Sequence, residues 1–179
     1  MATENKGYSW TSIVLHWLVA VMVIGLFASG FWMVDLSYYS SWYRTAPFWH
    51  KSVGVLLLAL MLYRLLFRVI KGTAEPLSSH SKAIQRASHV THLTLYGLVF
   101  LIICSGYLIS TADGRPIEVF GLFNLPSAGE LFAEQADRAG LVHEFAAYGL
   151  IALAVLHAAA ALKHHFFDKD NTLKRMLKP

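Results

Sequence analysis

Residues 141–176 read LVHEFAAYGLIALAVLHAAAALKHHFFDKDNTLKRM. The run to Lys163 is apolar enough to cross a bilayer, which takes about 20 such residues, yet it carries His143 near one end and His157 near the other. An α-helix rises about 1.5 Å and turns about 100° per residue, so the two imidazoles stand about 21 Å apart along the axis and within about 40° of one face. Ionisable side chains inside a membrane segment are costly and by default mark a functional site facing the bundle interior. Two imidazoles on one face, one in each leaflet, suit two cofactors stacked across the membrane. Haem is the natural candidate, because neutral imidazole is a good axial ligand for iron and a porphyrin needs an apolar slot.

The rest of the chain agrees with a membrane setting. Of its 179 residues 56% are hydrophobic and 15% charged, and the mean hydropathy is +0.48. A soluble domain of this size would not tolerate those values. The net charge of +4 falls at helix ends and not in a run that would bind nucleic acid. Cys104 is the only cysteine, which excludes an internal disulfide and any cysteine-built zinc or iron–sulfur site. The amino-terminal MATENKGYSW is polar without a basic n-region and leads into a span-length apolar run, so a first membrane helix is expected there and not a cleaved signal peptide.

Four membrane spans are expected, at about 11–34, 48–70, 89–110 and 141–163, within a single domain over 1–179. Pro47 suits the first turn of the second. The segment after helix 2 holds Arg64, Arg68, Lys71, Lys82 and Arg86, and the tail holds Lys163, Lys169, Lys174, Arg175 and Lys178; the opposite side has only Arg44, Lys51, Arg115 and Arg138. The positive-inside rule places both termini and the 71–88 loop in the cytoplasm. The acidic 111–140 connection then faces outward.

That topology gives each histidine a depth. His16 and His157 fall toward the cytoplasmic side, and His50 and His143 toward the outer side. Four histidines form two level pairs, helices 1 and 4 supplying one and helices 2 and 4 the other. Helical bundles build cofactor sites this way, from inward side chains on facing helices. The expected class is an all-α membrane protein, a four-transmembrane-helix bundle enclosing two haem b groups.

Other residues read less sharply. His89 and His92 sit one turn apart near the level of His157, and either could compete with His16; His89 reads as a solvated helix start, His92 as lining the inner haem or a nearby quinone pocket. His164 and His165 read as surface imidazoles, and His80 as inert. Arg64 and Arg68 are positive-inside anchors that could also pair with haem propionates through two parallel bonds. Lys51, beside His50, is the first choice among Lys51, Arg44 and Arg115 for attracting an anion. Trp10, Trp17, Trp32, Trp42 and Trp49 read as an aromatic belt. Gly97, Gly106, Gly149 and the run Ala158–Ala161 would allow close approach of a helix or a flat porphyrin.

With those residues placed, the chain resembles the bacterial cytochrome b561 family of small di-haem membrane proteins. The resemblance rests on LHW at His16, the lone His50, RLLFR from Arg64 to Arg68, HLTLY at His92, and the block from His143 through KDNTLKRM. It implies haem b ligated by His16 with His157 and by His50 with His143. It also implies inner-membrane residence and electron exchange with the quinone pool, with ubiquinone as the exchangeable partner. At least one member of that family looks like a superoxide oxidase, so a superoxide:ubiquinone oxidoreductase is a candidate activity, with superoxide a candidate periplasmic donor.

Three functions follow from these readings. The first is transmembrane electron transfer between a periplasmic donor and quinone. The second is a haem-bearing membrane anchor subunit serving a partner dehydrogenase, without catalysis of its own. The third is a haem-free transporter whose histidines form a proton path, which a visible spectrum without haem bands would reveal.

Overall fold

The computed structural model describes residues 7–72 and 74–179. The polar lead at 1–6 and Thr73 of the 71–88 loop lie outside the described residues.

Four helices dominate: α1 over Trp10–Met33, α2 over Thr45–Lys71, α3 over Lys82–Thr111 and α4 over Gln135–Phe166. All four are long and apolar enough to cross a membrane. Local chemistry explains their starts. Ser9 caps α1 by accepting from Ser12 N at 3.3 Å, and Ser81 caps α3 by accepting from Ile84 N at 3.3 Å, each satisfying a donor that a helix start leaves unpaired. Pro47 lies in the first turn of α2, where its missing N–H removes nothing.

α3 starts at Lys82 and α4 at Gln135, earlier than the expected 89 and 141. Hydrophobicity marks where a helix enters lipid, and a helix can continue through water beyond that point.

The helices form two antiparallel hairpins. α1 packs along α2 and α3 along α4, while α1 touches α4 and α2 touches α3 more sparsely. Midway along the bundle each helix contributes to one core of Val19, Leu57, Met61, Val99 and Leu150. Outward lie large exposed apolar side chains such as Val21 (66% exposed), Leu93 (67%) and Phe145 (70%). A contiguous apolar surface of that kind belongs against lipid.

The 111–140 connection, read only as an acidic outer loop, holds structure of its own. Strands β1 (Ile117–Val119) and β2 (Phe123–Leu125) pair antiparallel. The turn between them places Phe120 at φ 52° and Gly121 at φ 70°, the left-handed conformation that mirror-image hairpin turns require and that glycine adopts freely. Phe120 adopts it under strain and is held there by α2. Fully buried Ser52 accepts a hydrogen bond from Phe120 N at 3.0 Å and donates to Glu118 O at 3.4 Å.

Gln135, 1% exposed, ties the end of the same connection. Its Oε1 accepts from Leu131 N at 2.7 Å, and its Nε2 donates to Leu108 O at 2.9 Å and to Gly129 O at 3.2 Å. Replacing it by leucine strands buried backbone groups at about 1–3 kcal/mol each. Gln135→Leu is therefore expected to lower the thermal midpoint of the purified protein and to speed thermolysin cleavage before Leu131 and Phe132, in the segment that Gln135 holds. Cleavage at the wild-type rate would show that this side chain does not hold the connection.

Candidate functional site

The structure brings the four predicted histidines together in two pairs, at opposite ends of the bundle. At the end carrying the β-hairpin, the ring centres of His50 and His143 are 6.3 Å apart; at the end carrying the start of α1 and the carboxy-terminal tail, those of His16 and His157 are 6.4 Å apart. The central core lies between the two levels.

Hydrogen bonding sets the tautomers of the first pair. His143 Nδ1 lies 2.8 Å from Ile102 O, and a carbonyl oxygen only accepts, so Nδ1 carries the proton and Nε2 keeps its lone pair. His50 Nδ1 lies 3.0 Å from Ser29 Oγ, whose own proton goes to Leu26 O at 3.0 Å. His50 therefore donates from Nδ1 and also keeps Nε2 bare. Small residues make these positions accessible. A Cβ on Gly106 would stand 3.0 Å from His143 Cε1, and one on Gly30 would stand 3.3 Å from His50 Cε1. By contrast, a Cβ on Gly97 or Gly149 would meet nothing within 4 Å.

The other end is arranged differently. Arg64 Nη2 donates to His16 Nδ1 at 3.2 Å, so His16 carries its proton on Nε2 as it stands. His92 also joins this level, with its ring centre 5.2 Å from that of His157. Arg64 and Arg68 both stack over Tyr96, at 5.6 and 5.7 Å from its ring centre. A guanidinium over an aromatic face is held by the ring quadrupole, so Tyr96 positions the arginine pair that the sequence offered as propionate partners.

The polar tail closes the same end. Trp17 Nε1 donates to Met176 O at 2.8 Å, and Arg175 Nη1 donates to Glu75 O at 2.9 Å. His80, read as inert, instead bonds Asp170 at 2.8 Å, and His164 approaches the same carboxylate at 2.9 Å. No sequence signal linked His80 to a residue 90 positions later; a histidine, a histidine pair and two aspartates in polar segments were the only trace.

At the hairpin end the cations are unequal. Arg115 Nε donates to Asp113 at 2.6 Å, and this guanidinium holds the Asp113 carboxyl below its ordinary range. Arg138 pairs with Glu134 at 3.2 Å. Arg44 and Lys51, at the start of α2, make no ion pair among the described residues.

Facing histidines at two depths of a membrane helix bundle are side chains of the kind from which such bundles build cofactor sites. Residues 7–179 match the family described as prokaryotic cytochrome b561. The chain is 51% identical to cytochrome b561 homolog 2 of Escherichia coli K12, over 95% of its own length and 90% of that protein's. It is 33% identical to the probable superoxide oxidase CybB of Yersinia pestis, over 97% of both chains. It is 28% identical to a cytochrome b562 of Cereibacter sphaeroides, over 99% of both. The chain belongs to the prokaryotic cytochrome b561 family. It is accordingly a multi-pass protein of the bacterial inner membrane, an electron-transfer cytochrome that uses haem b.

The glycine contacts give a graded test. Gly106→Ala is expected to displace the His143 ring and lower the haem b bound per chain, measured as pyridine haemochrome. Gly30→Ala, with 0.3 Å more room against His50 (3.3 against 3.0 Å), is expected to do so less. Full haem content in Gly106→Ala would show that His143 does not need that close approach.

Proposed function

We propose that the chain conducts electrons across the inner membrane between a periplasmic donor and the quinone pool, through two bis-histidine b haems. Both termini are taken as cytoplasmic, from the placement of lysine and arginine, so His50 and His143 serve the periplasmic level and His16 and His157 the cytoplasmic one. Bound there, haem b supplies a one-electron iron couple at each level.

The ring spacing carries this reading. Two imidazoles that held one iron between them, with nitrogen–metal distances of about 2 Å and about 1.1 Å from each nitrogen to its ring centre, would have ring centres up to about 6.2 Å apart. The pairs at 6.3 and 6.4 Å match that span. The His92–His157 pair, at 5.2 Å, is too close for it, which favours His16 over His92 as the partner of His157. The lone pairs on His50 and His143 Nε2 support the same assignment. An imidazole that ligates through Nε2 carries its proton on Nδ1 and has nothing there to accept from a guanidinium. Ligation by His16 therefore entails release of Arg64, whose donors become available to an anionic group such as a propionate.

The remaining residues exclude water and orient. The central apolar core keeps solvent from the path between the levels, and the tail covers the cytoplasmic end. His92, beside His157 and the arginine pair, is the residue best placed to meet a quinone oxygen. Superoxide is the donor suggested by kinship with the probable superoxide oxidase. Arg44 and Lys51 are the cations free to steer an anion toward His50, because Arg115 and Arg138 are engaged.

His16→Ala and His157→Ala are expected to remove the same haem and leave the other, and His50→Ala and His143→Ala the converse; redox titration of the visible spectrum distinguishes the two. His92→Ala is expected to keep both. Loss of different haems within a pair would overturn the ligand assignment. In stopped flow, superoxide is expected to reduce the haem and soluble ubiquinone to re-oxidise it. The first rate should fall with ionic strength and fall again in Lys51→Gln. A salt-independent rate, or none, removes superoxide as the donor.

A further inference from the structure

We propose that His80, His164 and Asp170 form a site for a divalent cation of the zinc class, clasping the carboxy-terminal tail to the end of the bundle that carries the start of α1. His80 comes from the loop before α3, His164 from the last turn of α4 and Asp170 from the tail. Their ligand atoms all lie within 4.8 Å of one another. Asp170 Oδ2 is 2.8 Å from His80 Nε2 and 2.9 Å from His164 Nδ1. Two ligand atoms bound to one zinc at about 2.0–2.2 Å stand about 3–3.5 Å apart, so a small expansion of the present cluster admits the ion.

The cluster is not explained as an ordinary ion-pair network. His164 Nδ1 also lies 2.9 Å from Asp168 Oδ2, yet it is buried and makes no hydrogen bond of acceptable geometry among the described residues. A buried ring nitrogen close to two carboxylate oxygens, and bonded to neither, calls for a partner that accepts a lone pair. Asp168 is occupied by Lys163, whose Nζ donates at 2.6 and 2.8 Å. Two imidazoles and one carboxylate therefore remain, with solvent in the fourth position, a donor set that suits zinc.

The local backbone presents these groups. Lys169, between the two aspartates, sits at φ 54°, a conformation rare for residues with a side chain. With that turn in place, both carboxylates face His164. Ser81 fixes the start of α3 next to His80, and Gln85 Nε2 holds the His80 carbonyl at 2.9 Å. Thr172 N donates to Asp170 Oδ1 at 2.8 Å, orienting the carboxylate from behind as supporting bonds do at metal centres. The side chains remain 12–15% exposed, which leaves the ion a route in from water.

The test uses tag-free, haem-loaded full chain in detergent, dialysed against buffer at micromolar free Zn2+ and assayed by mass spectrometry of the metals. The wild type is expected to retain one zinc per chain. His80→Ala and Asp170→Asn should each bind it about tenfold more weakly or worse, with haem spectra unchanged as the control for folding. If either variant loses its haem, His164→Gln takes its place. Zinc is also expected to slow tryptic cleavage at Lys174 and Arg175 in the wild type alone. A wild type that retains no zinc, variants that retain it equally, or tail cleavage indifferent to zinc would each overturn the proposal. Haem content reads the proposed electron path independently, so failure here leaves that reading standing.

Discussion

An imidazole placed in hydrocarbon cannot leave its N–H unbonded, because no water is present to accept it. At His143 the acceptor is a backbone carbonyl of the neighbouring helix, Ile102 O at 2.8 Å. That bond requires α3 and α4 to run close together with Gly106 at the contact, and this is the more extensive of the two hairpin seams. It also leaves Nε2 as a bare lone pair. One requirement of membrane burial thus fixes helix packing, ring orientation and ligand readiness together.

The α1–α2 hairpin repeats the solution with different chemistry. Ser29 passes its proton to Leu26 O and accepts from His50, and Gly30 supplies the room. Each hairpin therefore presents one prepared histidine at the β-hairpin end, and the two rings meet across the seam where helices from different hairpins touch least. A flat cofactor between the hairpins would complete the packing that the protein's own side chains leave sparse there.

The helices, their number and the two histidine levels were legible in the sequence because the bilayer imposes a length and a price on polarity. A lone His157 inside an apolar run is conspicuous, and Lys and Arg mark the ends. The β-hairpin was not legible. Its strands are three residues each, too short for an alternation to register, and its turn places a phenylalanine where glycine is usual. Ser52 carries no signal within the expected second span and Gln135 falls inside the expected 111–140 connection, so only tertiary contact reveals them as anchors for that connection. His80 was read as inert because sequence gives no means of joining residue 80 to residue 170. Gly106 was picked out with Gly97 and Gly149 on composition alone, and the structure gives only Gly106 a neighbour close enough to require glycine.

The two ends differ in what holds their histidines, and the difference bears on function. At the β-hairpin end the Nδ1 partners are a backbone carbonyl, which cannot leave without unwinding a helix, and a short serine side chain that is itself bonded to the backbone; both are uncharged. At the terminal end His16 is held by a guanidinium on a long side chain, beside a second arginine stacked on the same tyrosine. A charged, mobile partner can be exchanged for an anionic one, whereas a helix carbonyl cannot. Under the proposed ligand set, the periplasmic level is therefore built for a fixed geometry, and the cytoplasmic level for one in which charge is rearranged as ligands bind. A diffusing quinone that takes up electrons and protons needs the second kind of site. In the proposed reading His92, whose ring centre is 5.2 Å from that of His157 and which stands beside that arginine pair, is the residue assigned to such an exchange.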